Sequence, residues 1–370
     1  MRSVNTGYFI IIVFFAVSFF ISCEKDTRGI YTGDENAVSD SEEISDSDIY
    51  LERPDSDNRP GGGGDGTGSD IDNFLNDEES QDGPEQDSVV EPDDETQNGI
   101  YSSEPDVGKC IGGEISSYEK EKVLERVNYI RSLHNLPPVV YKEEDDIYTE
   151  QCALVIAANE ELSHTPGKDW TCYSEDAYTG CNKSNIFIQW GNDNLSFKST
   201  AVIDAFMTDE GVDTLGHRRW ILDPWLAHIS FGRADDYSSK ITGAALKVIN
   251  TDQQDISGSS IDFVAYPYEY YPSGLYNENV MMSFSVISDT MNKWNNSKVD
   301  MLTSAVSILD PDNKLIKITG KVSDNDGYGV PNNLRWFTES IEPGVKYNVN
   351  ITGVIVNGIP KTYNYWFELK

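Results

Sequence analysis

Between residues 24 and 108 the chain carries 27 Asp or Glu against four Lys or Arg. A stretch of that composition cannot close on itself. Its large apolar side chains are too sparse for burial to offset the conformational entropy of ordering it. The run "GGGGDGTGSD" at 61–70 loosens it further, and like charges push it open. The chain is thereby divided before any motif is considered: an acidic, disordered tether over 23–108, then a foldable remainder from Lys109 to Lys370 of 262 residues. The tether supplies most of the net charge of −35. No basic footprint is left for a nucleic acid. The acidic run lacks a spaced ligand loop for calcium, so solvation is its simplest role.

The N-terminus sets the compartment. After Arg2 comes "YFIIIVFFAVSFFIS" (8–22), ended by Cys23. A spanning helix needs about 20 apolar residues, so this shorter run reads as a secretory signal. Phe20-Ile21-Ser22-Cys23 resembles a bacterial lipobox, with Phe20 where leucine is usual. This implies a signal peptide over 1–22, lipid on Cys23, and export to the cell envelope, held to the outer membrane or cell surface by that lipid. Four further cysteines, Cys110, Cys152, Cys172 and Cys181, form an even set in an oxidising compartment. Three pairings are open to them; Cys172 with Cys181 and Cys110 with Cys152 are the favoured ones here.

The foldable part changes character near residue 268. In "SSYEKEKVLERVNYIRSLHN", Ser116 and Glu119 form a capping box. Val123, Val127, Ile130 and His134 share one helical face, and "LPP" (136–138) stops the helix. A second helix runs from about Glu143, and its apolar run from Cys152 to Ala158 predicts burial. "STAVIDAFM" predicts a third helix and "DTLGHRRWIL" a short fourth. Strands follow at "AHISFGRA" and "KITGAALKVIN". Beyond residue 268 six short runs rich in β-branched and aromatic residues, separated by turns such as "DPDN" and "DNDG", predict a small antiparallel sandwich. The fold class is therefore α+β: a mixed domain over 109–268, then an all-β domain over 269–370. The tyrosine-rich "YPYEYYPSGLY" between them reads as a connector, with a carbohydrate-stacking strip as the alternative.

Four histidines are unequal candidates for chemistry. His134 ends a helix, where interaction with the negative C-terminal end is its simplest task. His228 lies in a strand, sharing a face with Ser230 and Gly232. His164, in "ELSHTP", follows the buried helix, and His217 opens the fourth one. Two imidazoles with a carboxylate nearby are the raw material of a metal site or an acid–base site.

At this point "NYIRSLHNLPPVVY", "ELSHTP" and "AVIDAFMTDEGVDTLGHRRWILDPWLAHISFG" together resemble the CAP superfamily of cysteine-rich secretory, antigen 5 and pathogenesis-related proteins, in its bacterial lipoprotein form. The likeness covers about residues 116–250. It implies an α–β–α sandwich and an open cleft of two histidines and two acidic residues, which in some members holds a divalent metal such as zinc. Carried across, His164 and His217 match the histidines and Asp209 one acidic residue. Ser184, in "KSNIF", stands where the other is a glutamate. Arg218 is a further cleft candidate: one arginine could reach a carboxylate on the early helices and fix the cleft wall, while Asp209 could simply pair with Arg218 or Arg219 on the surface. The set His164, His217 and Asp209 could hold a metal with water as fourth ligand.

The resemblance favours a non-catalytic binding module that takes a small molecule, a lipid or a protein in the cleft. The alternatives are a hydrolase using His164 or His217 as base with Ser163, Ser184 or water as nucleophile, and a structural surface protein. Neither Gly-x-Ser-x-Gly nor His-Glu-x-x-His occurs in the chain, so the hydrolase reading has candidates without a signature. Trp220, Ile221 and Leu222 read as core, while Trp190 and Trp225 could line a groove.

Overall fold

The computed structural model describes the backbone of residues 49–51 and, in full, residues 99–190 and 197–370. The signal segment, Cys23 and most of the acidic segment lie outside the described residues. Among those described, no helix is long and apolar enough to cross a membrane.

The first strand, β1 (Ile49–Leu51), is followed by β2 (Tyr101–Ser103) and β3 (Glu114–Ile115), which pair with each other. Ordered structure thus begins ahead of Lys109, inside the acidic segment. Helix α1 (Ser117–Leu133) starts as its capping residue demands: the Ser116 hydroxyl accepts the Glu119 amide. The Glu119 carboxylate turns elsewhere, accepting the Ser199 amide at the start of a later helix. β4 (Val140–Tyr141) leads through a 3-10 turn into α2 (Asp146–Asn159). Next come α3 (Glu175–Asn182), β5 (Ser184–Trp190), α4 (Ser199–Thr208), α5 (Gly216–Ile221), β6 (His228–Asp236) and β7 (Ile241–Lys247).

The sheet order is β1-β5-β7-β6-β4, antiparallel through its centre and parallel at both edges. Strand alternation sorts its side chains into two cores. Phe187, Ile229, Phe231 and Leu246 face α1 and α4; Ile186, Ile188, Ala234 and Ala245 face α2 and α3. The result is the α–β–α sandwich expected. Helix α2 lies so close to the sheet that a Cβ on Gly232 would stand 2.2 Å from the Thr149 carbonyl carbon. Only glycine fits there.

The remaining strands are β8 (Phe263–Tyr266), β9 (Glu269–Tyr271), β10 (Met282–Val286), β11 (Ala305–Leu309), β12 (Ile318–Asp324), β13 (Asn333–Thr338), β14 (Lys346–Val356) and β15 (Ile359–Leu369). They form two four-stranded sheets, β12-β13-β10-β8 and β11-β14-β15-β9. All six runs read as strands are strands. β8 and β9, from the tyrosine-rich connector and just before it, complete the two sheets, so β8 reaches back across residue 268.

One apolar core runs through both modules. Arg218, fully buried, binds the Met207 and Thr208 carbonyls of the first module and the Met281 carbonyl of the second. Its guanidinium lies 3.7 Å from the centre of the Tyr266 ring. Lys293 and Asp223 form a buried ion pair at 2.8 Å.

The disulfides correct the expected pairing. Cys110 joins Cys172 and Cys152 joins Cys181. Helix α3, which the sequence reading did not anticipate, is the reason. At about 1.5 Å per residue it carries Cys181 about 10 Å along its axis from its start. The helix sets Cys181 against α2, where Cys152 lies.

Candidate functional site

Asp209 ends α4 in a left-handed conformation, φ 54°. That turn aims its carboxylate at the next helix. One oxygen accepts from His217 Nδ1 at 2.8 Å, and the other from the Arg218 amide at 3.1 Å. The Phe206 ring stacks on the imidazole with centroids 5.1 Å apart, and Asn185 Nδ2 donates to the His217 carbonyl at 3.0 Å. Ring and backbone are thus held from three sides. With Nδ1 keeping its proton and donating it to the carboxylate as a hydrogen bond, the neutral ring presents Nε2 as an acceptor. Nε2 is buried without a hydrogen-bond partner.

His164 approaches from the loop after α2, its Nδ1 donating to the Cys181 carbonyl at 2.8 Å. The disulfide at Cys181 therefore steadies the strand of backbone that orients this ring. Ser184 begins β5, and its hydroxyl is also buried without a partner. His164, Ser184 and His217 line one cavity of about 250 Å³, mouth included, with Asn185, Trp220 and Tyr328. Its interior leaves room for about one water molecule. The space is narrow rather than the open cleft that the resemblance implies.

Tyr328 accounts for the difference. It comes from the second module, in the turn between β12 and β13, and only 7 % of it is exposed. The backbone of its neighbour Gly329 is pressed against α5: a Cβ there would stand 2.0 Å from the Arg219 carbonyl oxygen, and φ is +50°. The Arg219 guanidinium holds the same turn by an ion pair to Asp324 at 2.9 Å and lies 5.1 Å from the Tyr328 ring centre.

Three sequence-based expectations need correction. Arg218 does not line the cavity; its guanidinium points the other way, into the seam between modules. Asp209 is not in the lining either, since it stands behind the imidazole and orients it. Trp220, read as core, is half-buried and forms part of the cavity wall, while Ile221 and Leu222 are buried as expected. Ser163 accepts the Thr165 amide in its own turn and is absent from the lining. Trp225 is core, and Trp190 packs against the α2 side of the sheet.

The donor set also bears on metal binding. Among the described residues no group of three His, Cys, Asp or Glu is placed to hold a metal ion. With Asp209 committed to Nδ1 and a serine hydroxyl at position 184, the residues do not fit the two-histidine, two-carboxylate metal site that the resemblance implies.

Residues 124–244 match the family model described as CAP, the cysteine-rich secretory protein family. The chain carries a CAP domain. No curated protein matches the chain significantly. Within the CAP domain, Asn128 and Arg131 of α1 each have a structural task. Asn128 clamps Val139 by a reciprocal pair of hydrogen bonds, 2.8 and 3.0 Å. Arg131, wholly buried, caps the carbonyls of Ile221 and Asp223 at the end of α5. Arg131 thereby fixes the end of the helix that bears His217. Sequence reasoning missed Asn185 and Tyr328. The first sat within "KSNIF" and could have been weighed; the second is over a hundred residues downstream, in a turn with no chemical signature.

Proposed function

We propose that the chain is an exported binding protein, held by a lipid on Cys23, whose CAP domain takes a small polar ligand between Ser184, His217 and His164. The observation that carries this reading is the pair of buried, unpartnered atoms His217 Nε2 and Ser184 Oγ in one cavity. Leaving such a group unsatisfied costs about 1–3 kcal/mol. A site that keeps two of them has a use for them. The acceptor Nε2 and the hydroxyl suit a ligand that donates one hydrogen bond and accepts another. The narrow interior favours a small ligand.

The test is thermal unfolding of wild type, His217→Ala and Ser184→Ala with acetate, phosphate and imidazole in turn. At least one should raise the wild-type Tm and leave both variants unmoved. No shift with any probe, or equal shifts in all three proteins, would discard the reading.

A hydrolase remains the second reading because Asp209 orients His217 as an acid–base pair requires. Against it, Ser184 Oγ and His217 Nε2 are not hydrogen-bonded to each other. Turnover of 4-nitrophenyl acetate that disappears in His217→Ala would favour it.

Export is supported by two disulfides, which persist in oxidising compartments. Cys23→Ser should move the protein from the membrane to the soluble fraction; an unchanged distribution would remove the lipid anchor.

A further inference from the structure

We propose that the groove beside His134, where the two modules meet, is a second binding site that takes a neutral saccharide. It encloses about 750 Å³, mouth included, three times the space of the two-histidine cavity. Ligand pockets occur preferentially at domain interfaces. Its walls come from the end of α1, the loop leading into β8, and the tyrosine-rich connector.

The chemistry of the lining selects the ligand. His134 contributes only a wall, because its Nδ1 faces the Ala265 carbonyl at 2.8 Å and its Nε2 the Tyr271 hydroxyl at 3.3 Å. Phe263 and Tyr268 supply half-buried rings, 5.9 Å apart and nearly perpendicular. Phe263 is fixed from below by Phe284 and Tyr365, at 5.3 and 5.8 Å. At the rim stand Asn135, Ser260 and Asp262, all exposed.

The rim is held in place by its backbone. The Ile287 amide donates to the Asp262 carbonyl at 2.8 Å, and the Ser259 hydroxyl accepts the Ile261 amide at 3.2 Å. Among the described residues no lysine or arginine lines the groove. A phosphate, sulfate or carboxylate ligand would meet Asp262 with no compensating cation. What remains is an aromatic floor with a carboxylate, a hydroxyl and an amide above it. A pyranose fits such a set: its C–H face packs on a ring, while its hydroxyls donate to the carboxylate and accept from the amide.

This site is independent of the histidine cleft, and its test separates the two. The full chain is titrated by calorimetry with neutral tetrasaccharides of glucose, N-acetylglucosamine, mannose and galactose. At least one should bind. Asp262→Asn and Tyr268→Ala should each weaken that binding by about tenfold or more, and His217→Ala should leave it unchanged. Asp262 is exposed and makes no side-chain ion pair or hydrogen bond among the described residues, so its substitution leaves the fold intact. Failure of all four sugars to bind, or affinity unaltered in both groove variants, overturns the proposal. Loss in His217→Ala alone would overturn it equally, by placing the sugar in the cleft.

Discussion

His134 was expected to act as a cation at the end of α1, and its surroundings forbid that. The ring is fully buried, and burial lowers its pKa to about 3. The Ala265 carbonyl opposes that shift, and the guanidiniums of Arg218 and Arg131 add to it. Tyr266 and Tyr271 pack on the ring's other sides. In the unfolded chain an ordinary histidine takes up its proton near pH 6.5. Below that the unfolded state binds a proton that the native state refuses. The stability is present above about pH 6.5 and is lost progressively as pH falls toward 3. Thermal unfolding should therefore show a steeper fall in Tm between pH 7 and pH 5 for wild type than for His134→Gln, even if the variant is less stable at pH 7. Parallel curves would reject this account. The histidine's place on an apolar face was legible from helical spacing. Its partners, more than a hundred residues away, were not.

At the scale of elements, periodicity revealed what faces the core and missed what is short. Val123, Val127 and Ile130 on α1, and the apolar stretch of α2, are buried as their spacing demands. Helix α3 escaped notice because its eight residues include Gly180 and carry few apolar positions. Its consequence was large, since it decides both disulfides. The close packing of α2 on β6 could be read only from coordinates, because a glycine in a strand does not say what lies over it. Gly232→Ala should lower stability by about 3 kcal/mol, near the upper end of what overpacking a core typically costs. Denaturant midpoints measure this. A change below about 0.5 kcal/mol would mean that α2 shifts away without resistance.

For the molecule as a whole, the division into a CAP domain and an all-β module is visible in composition, yet the two are not separable in energy. Their apolar cores are continuous, and Arg218 bonds to backbone on both sides of the seam. The second module also contributes to the cavity of the first, because Tyr328 forms part of its wall. Family likeness singled out His164, Ser184 and His217, which line one cavity. It could not foresee their cover, which belongs to a part of the chain outside the matched residues.

The two disulfides have a consequence of their own. Cys110–Cys172 and Cys152–Cys181 interleave along the chain, so their loops overlap. Any single backbone break between Cys110 and Cys181 falls inside at least one closed ring. A protease that nicks an exposed turn there, such as that at Lys168 and Asp169, releases nothing. Both pieces stay covalently joined around α2, and the damage is silent until a reductant arrives.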